Sequence, residues 1–175
     1  MAMKNRMMNR SKFLVLMVAF LIGGTAILAA QTTGSITLTG VVSQILEITV
    51  TPEAGYDSLD LTTSQTDLLV ATVNERSNSQ AGYRVEVEST NAAAAASSTP
   101  FFVGADPGNT DTLTYSVSYG GAATTFNTSG VAEVTNVGST TGTAGVNKAV
   151  EITYTGSFLN ADTYSDTLTF TIIAN

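Results

Sequence analysis

The sequence predicts an all-β protein, an antiparallel β-sandwich of about seven or more short strands. Three observations carry this. Apolar and polar residues alternate strictly in short runs such as Tyr83-Arg-Val-Glu-Val-Glu88 and Leu113-Thr-Tyr-Ser-Val-Ser-Tyr119, a period of two that turns one side of each run toward a core. Gly, Pro, Asn and Asp gather between the runs, where they favour turns. No stretch shows the three-and-four spacing of an amphipathic helix.

The chain begins with Lys4, Arg6, Arg10 and Lys12 and no acid, followed by the apolar run from Phe13 to Gly23 and small residues up to Ala29-Ala30. That order of charge, apolar core and small residues predicts a secretory signal peptide over residues 1–30, cleaved between Ala30 and Gln31. The apolar run is shorter than the roughly 20 residues a spanning helix needs, so the membrane is expected to matter only during export.

Removing 30 of 175 residues leaves 145, a size for one domain over residues 43–175 with a short extension, residues 31–42, before it. Four of the seven basic residues go with the leader and none of the 14 acids, so Arg76, Arg84 and Lys148 face 14 carboxylates and the net charge is 3 − 14 = −11. Such a surface repels phosphate backbones and excludes nucleic acid as a partner. Cys and His are absent. An exported domain without disulfides depends on packing and strand pairing, and without His or Cys the usual general base, thiol nucleophile and most transition-metal ligands are missing. No cofactor, metal site or catalytic residue is expected.

Gln31 to Val50 contains two β-type runs back to back. Ile36, Leu38, Gly40 and Val42 share one phase of the first, and Leu46, Ile48 and Val50 share one phase of the second. The join, Gly40-Val-Val-Ser-Gln44, lacks the Asn-Gly or Asp-Gly chemistry of a tight hairpin, so the first run is expected to pair elsewhere. Thr51-Pro52 ends the second run. Leu59 and Leu61, alternating with Asp60, predict a short strand, and Leu68 to Val73 a more buried one. Asn74 to Gln80 reads as a hydrophilic turn.

Ala92 to Ala96 is too short to persist as a helix on its own and reads as a loop. Asp106-Pro-Gly-Asn-Thr-Asp111 is a turn, Pro107-Gly108 accounting for it without a calcium ion. Leu113, Tyr115, Val117 and Tyr119 fall on one strand face, and Gly120-Gly121 ends that strand. The aromatic pair is expected in the core rather than on a sugar-stacking platform. Val131, Val134 and Val137 are too loosely spaced to predict a strand. Ala149 to Tyr154 alternates again. Asn160 to Asp166 is a turn into Thr167-Leu-Thr-Phe-Thr-Ile-Ile173, whose Leu168, Phe170 and Ile172 alternate with threonines. A long apolar strand there needs neighbours or a cover on its edge.

Gly34-Ser-Ile-Thr-Leu-Thr-Gly40, Ala71-Thr-Val73, Gly82-Tyr-Arg-Val-Glu-Val87 and above all Ala161-Asp-Thr-Tyr-Ser-Asp-Thr-Leu-Thr-Phe-Thr-Ile172 resemble the spore coat protein U-like pilins of bacterial chaperone–usher fibres. The resemblance spans nearly all of the chain after the leader. It implies an immunoglobulin-like sandwich that is incomplete and completed by a donor strand. A periplasmic chaperone would supply that strand first; at an outer-membrane usher, the N-terminal extension of the next copy or of a related pilin would replace it.

Carried over by position, Ile36, Leu38 and Val42 would be the donor plugs, with Gly40 at a tight spot. The acceptor groove would be flanked by Leu46, Ile48 and Val50 on one side and Leu168, Phe170 and Ile172 on the other. The implied role is structural, in a surface fimbrium serving adhesion or biofilm. The chain departs from many members in lacking a disulfide between early strands. The alternatives are a self-complete monomeric surface domain and a carbohydrate-binding domain using Tyr115, Tyr119 or the loop after Gly120. An exported enzyme is the least supported, since Asp57 with Asp60 and Asp162 with Asp166 read as turn formers.

Overall fold

A computed structural model describes residues 31–175; the expected signal peptide lies outside the described residues. The compact unit that holds the sandwich begins at Val42. Its strands are β1 (Leu46–Pro52), β2 (Gln65–Ser77), β3 (Tyr83–Ser89), β4 (Phe101–Gly104), β5 (Thr112–Tyr119), β6 (Ala122–Ala123), β7 (Val131–Val137), β8 (Val146–Tyr154), β9 (Tyr164–Ser165) and β10 (Leu168–Ala174), with one short helix, α1 (Thr90–Ala94).

All pairings are antiparallel. The larger sheet runs β1-β2-β8-β5-β4-β9, with β6 turned back on β5, and the smaller runs β10-β3-β7. The order β1-β2-β8-β5 is that of the A, B, E and D strands of an immunoglobulin-like sandwich, and β3 beside β10 that of C beside F. The fold class is therefore the expected one, an all-β antiparallel sandwich. Alternation places the core: Leu113, Tyr115, Val117 and Tyr119 of β5 are buried, as are Tyr83, Val85 and Val87 of β3 and Val150 and Ile152 of β8. Gly120 and Gly121, at φ +58° and +81°, make the two-residue turn between β5 and β6 that residues with side chains form only with strain.

Four local expectations are corrected. Leu61 lies in a turn and Leu59 in the loop before it, neither in a strand. The Asp60 carboxylate accepts from the Thr62 amide at 3.0 Å and from the Thr62 and Thr63 hydroxyls at 2.6 and 2.8 Å, so local side-chain bonds outcompete extension. Asn74 to Ser77 continue β2; their polarity misleads because Glu75 points inward and is fully buried. The alanine run contributes to α1, because the Ser89 hydroxyl caps it by accepting from the Ala92 amide at 3.2 Å.

Val131 to Val137 do form a strand. The register shifts between Val85 and Glu86, so that Glu133 faces Glu86 while Thr135 faces Val85 and one extra residue bulges. A bulge breaks the period of two, which is why the valine spacing looks irregular in sequence.

Candidate functional site

Five strands have one partner each among the described residues, β1, β6, β7, β9 and β10, and of these β1 and β10 meet at one cleft. β1 pairs only with β2, through a continuous register from Leu46 opposite Ser77 to Pro52 opposite Ala71. β10 pairs only with β3, from Leu168 opposite Ser89 to Ala174 opposite Tyr83. Between these two open edges lies a cleft of about 320 Å³. Val50 and Pro52 of β1 form one rim and Leu168 and Phe170 of β10 the other. Val70, Ala71, Phe102, Tyr115, Val150 and Ile152 form the floor, with Tyr56 and Leu59 of the loop after β1 at one end.

The structure thus brings Val50, Leu168 and Phe170 together at the cleft. Leu46, Ile48 and Ile172 stand on the same two strands but do not line it; Ile48 packs against the core. Leu168 and Phe170 are half-buried, and Val50 is 42 % exposed, although their alternation alone would suit a fully covered face. Residues 31–45 form no strand. Ile36, Leu38 and Val42 are 83, 86 and 87 % exposed, and a Cβ added at Gly40 would meet nothing within 4 Å. Asn78 fixes where the sandwich starts: its amide side chain accepts from the Ile45 N–H at 2.7 Å and donates to the Ser43 carbonyl at 2.8 Å.

Two carboxylates reach into this apolar interior, Glu75 and Asp166, and their local sequence marks both only as parts of turns. Glu75 accepts from the hydroxyls of Tyr83 at 2.9 Å, Tyr119 at 2.6 Å and Thr135 at 2.6 Å, which ties β2 of one sheet to β3 and β7 of the other. Asp166, at the wall of the cleft, accepts from the Ser89 hydroxyl at 2.6 Å and the Tyr115 hydroxyl at 2.7 Å through one oxygen. Its other oxygen accepts from the Asn91 and Thr167 amides at 3.0 and 2.8 Å.

Burial pushes the Tyr115 hydroxyl's pKa up, and its bond to Asp166 adds to this. Burial, then the bond to Glu75, does the same for Tyr83 and Tyr119. These phenols therefore stay neutral and keep their protons to donate, and a polar group in an apolar interior persists only when hydrogen-bonded in this way. Asp166 is the one acidic residue that lines the cleft, and its two oxygens accept from four donors.

Tyr115 and Tyr119, the tyrosines of the sugar-stacking alternative, are both buried in the core, Tyr115 on the floor of the cleft. Asp106 and Asp162 belong to a turn cluster: Asp162 accepts from the Asn109 side chain and the Asp106 amide, both at 2.9 Å, and these bonds hold its pKa below the usual carboxylate value. Among the described residues no group of three or more His, Cys, Asp or Glu is placed to hold a metal ion, and no helix is long and apolar enough to cross a membrane.

Of the cleft's lining residues sequence reasoning found only Val50, Leu168 and Phe170; among those it missed are Tyr56, Val70, Phe102, Ile152 and Asp166. Nothing local marks Tyr56 or Phe102 as neighbours of a strand edge. Asp166 did carry a signal, lying inside the Tyr-Ser-Asp-Thr-Leu-Thr-Phe-Thr segment on which the family resemblance chiefly rests. Fold and cleft together define a class, an immunoglobulin-like antiparallel sandwich with two adjacent open edges over an apolar groove. Comparison with known proteins narrows this no further: no family model matches the chain, and no curated protein is significantly similar to it.

Proposed function

We propose that this chain is an exported structural subunit of a bacterial surface fibre, a pilus or fimbria, assembled by donor-strand complementation. Residues 31–42 of one copy add as a strand between β1 and β10 of the next, with Ile36, Leu38 and Val42 as plugs and Gly40 where the backbones approach closely. The observation that carries this reading is the pairing of unlike halves: two open strand edges flank an apolar cleft, and an alternating apolar run outside the sandwich is exposed at every plug position.

Burying three aliphatic plugs would contribute roughly 1.5–3 kcal/mol each before ordering costs. The added strand would also satisfy the edge amides and carbonyls of β1 and β10. Because each copy gives one strand and accepts another, the contact is head-to-tail and propagates without closing. Secretion through the periplasm, a chaperone that covers the cleft in transit, an outer-membrane usher and a place at the cell surface in adhesion or biofilm belong to the same reading, as does a non-catalytic role.

The test is size-exclusion chromatography with light scattering on chains beginning at Gln31 and at Ser43. Heat-resistant multimers of the longer chain, with a peptide of residues 31–42 restoring stability to the shorter, are expected. A longer chain that stays a stable monomer at high concentration would instead identify a self-complete surface domain.

A further inference from the structure

The chain changes sheets at Asp166-Thr167. β9 pairs with β4 in the larger sheet, Ser165 standing opposite Val103, and after two intervening residues β10 pairs with β3 in the smaller sheet, Leu168 standing opposite Ser89. The crossing forms part of the cleft wall, since Asp166 and Thr167 both line it. A strand bonded along one edge only, with half-buried side chains, is the kind of element that opens locally. β10 nevertheless holds a continuous register over all seven of its residues.

The Asp166 carboxylate accounts for much of this. Its donors come from the end of β3 (Ser89), from α1 (Asn91), from β5 in the opposite sheet (Tyr115) and from the chain itself (Thr167). Ser89 and Tyr115 are buried. Around this hub the Thr90 amide donates to the Thr167 carbonyl at 3.0 Å, and the Asn91 side chain donates to the Ser165 carbonyl at 2.7 Å. Farther along β10, the Phe170 ring stacks on Tyr119 with centroids 5.8 Å apart. At its far end the Asn175 amide donates to the Gly82 carbonyl at 3.2 Å.

We infer that Asp166 is a positioning residue for strand capture: by clamping the sheet crossing to both sheets it holds β10 as a preformed template with its free edge presented before any partner strand arrives. This rests on the fibre-subunit reading for the identity of the captured strand, but not for the clamp itself. Two Oδ1 donors are backbone amides that cannot turn into acceptors, whereas the two hydroxyls on Oδ2 can. Asp166→Asn therefore keeps part of the hub, Tyr115→Phe removes one bond without changing the core, and Asp166→Ala removes all four.

The test uses the chain beginning at Gln31 with its own extension disabled by Ile36→Asp and Leu38→Asp. Amide hydrogen exchange is followed along each strand, and capture of a fluorescent peptide of residues 31–42 is followed by stopped flow. Tyr115→Phe and Asp166→Asn are each expected to speed exchange over Leu168–Ala174 about tenfold, with β2 and β8 unchanged, and to slow peptide association by a similar factor while dissociation changes little. Exchange that rises equally in both sheets would make Asp166 an ordinary stability residue and overturn the inference, as would unchanged exchange in β10 or unchanged association. If the parent chain captures no peptide, the fibre-subunit reading fails, and the exchange pattern alone then decides the clamp.

Discussion

The Tyr119 hydroxyl donates to Glu75 Oε1 across 2.6 Å in the middle of the sandwich, where Glu75 is fully buried. A carboxylate in that position is tolerable only because every bond is supplied by a side chain fixed on another strand: Tyr119 on β5, Tyr83 on β3 and Thr135 on β7. In a domain with no cysteine, this group joins the two sheets.

Glu75→Ala is expected to lower unfolding free energy by about 3–5 kcal/mol, since it leaves three hydroxyls without their acceptor and opens a cavity. Glu75→Gln keeps one carbonyl oxygen and is expected to cost about 1–2 kcal/mol. Urea denaturation of both variants checks the order; equal, small losses would show that the hydroxyls find water instead.

Alkaline pH is expected to destabilise the domain. The pKa values of Tyr83, Tyr115 and Tyr119 are raised above the ordinary 10 in the folded state, chiefly by burial and then by bonds to Glu75 or Asp166. The unfolded chain therefore releases these protons first, so their contribution is fully present below about pH 10 and is lost as pH rises beyond it. Melting temperature should be level from neutral pH to about pH 10 and fall above it, while tyrosinate absorbance from these residues should develop only together with unfolding.

Two glycines separate backbone strain from collision. Both Gly82 (φ +87°) and Gly121 (φ +81°) sit in the left-handed region, but a Cβ at Gly82 would strike the Val137 carbonyl whereas one at Gly121 meets open space. Gly121→Ala is expected to cost about 1–2 kcal/mol, and Gly82→Ala clearly more, because strand β7 must also move. Chemical denaturation of the pair measures the difference.

Leu38→Asp is expected to abolish multimers while leaving the monomer's unfolding free energy within about 0.5 kcal/mol, since Leu38 is 86 % exposed. Phe170→Ala is expected to weaken assembly and also to destabilise the monomer by about 1–3 kcal/mol, because that ring already packs on Tyr119. Light scattering and thermal melts on the same samples distinguish the two effects.

What the sequence determined by itself is what depends on neighbours along the chain. Tyr83 to Glu88, Leu113 to Tyr119 and Leu168 to Ile173 announce their strands and their buried faces by alternation, which is a local property. Proline at position 52 ends β1, and paired glycines turn the chain after Tyr119, for equally local reasons. The tertiary structure decided the rest. Glu75 meets Tyr119 and Thr135 from 44 and 60 positions away, and Asp166 meets Ser89 from 77. Polar residues in a turn and polar residues at a buried junction look alike until distant strands bring their donors. The cleft is of the same kind: Val50 and Phe170 flank it only because the first and last strands of the sandwich fall on adjacent edges of different sheets, and strand order is settled by packing rather than by any short stretch of residues.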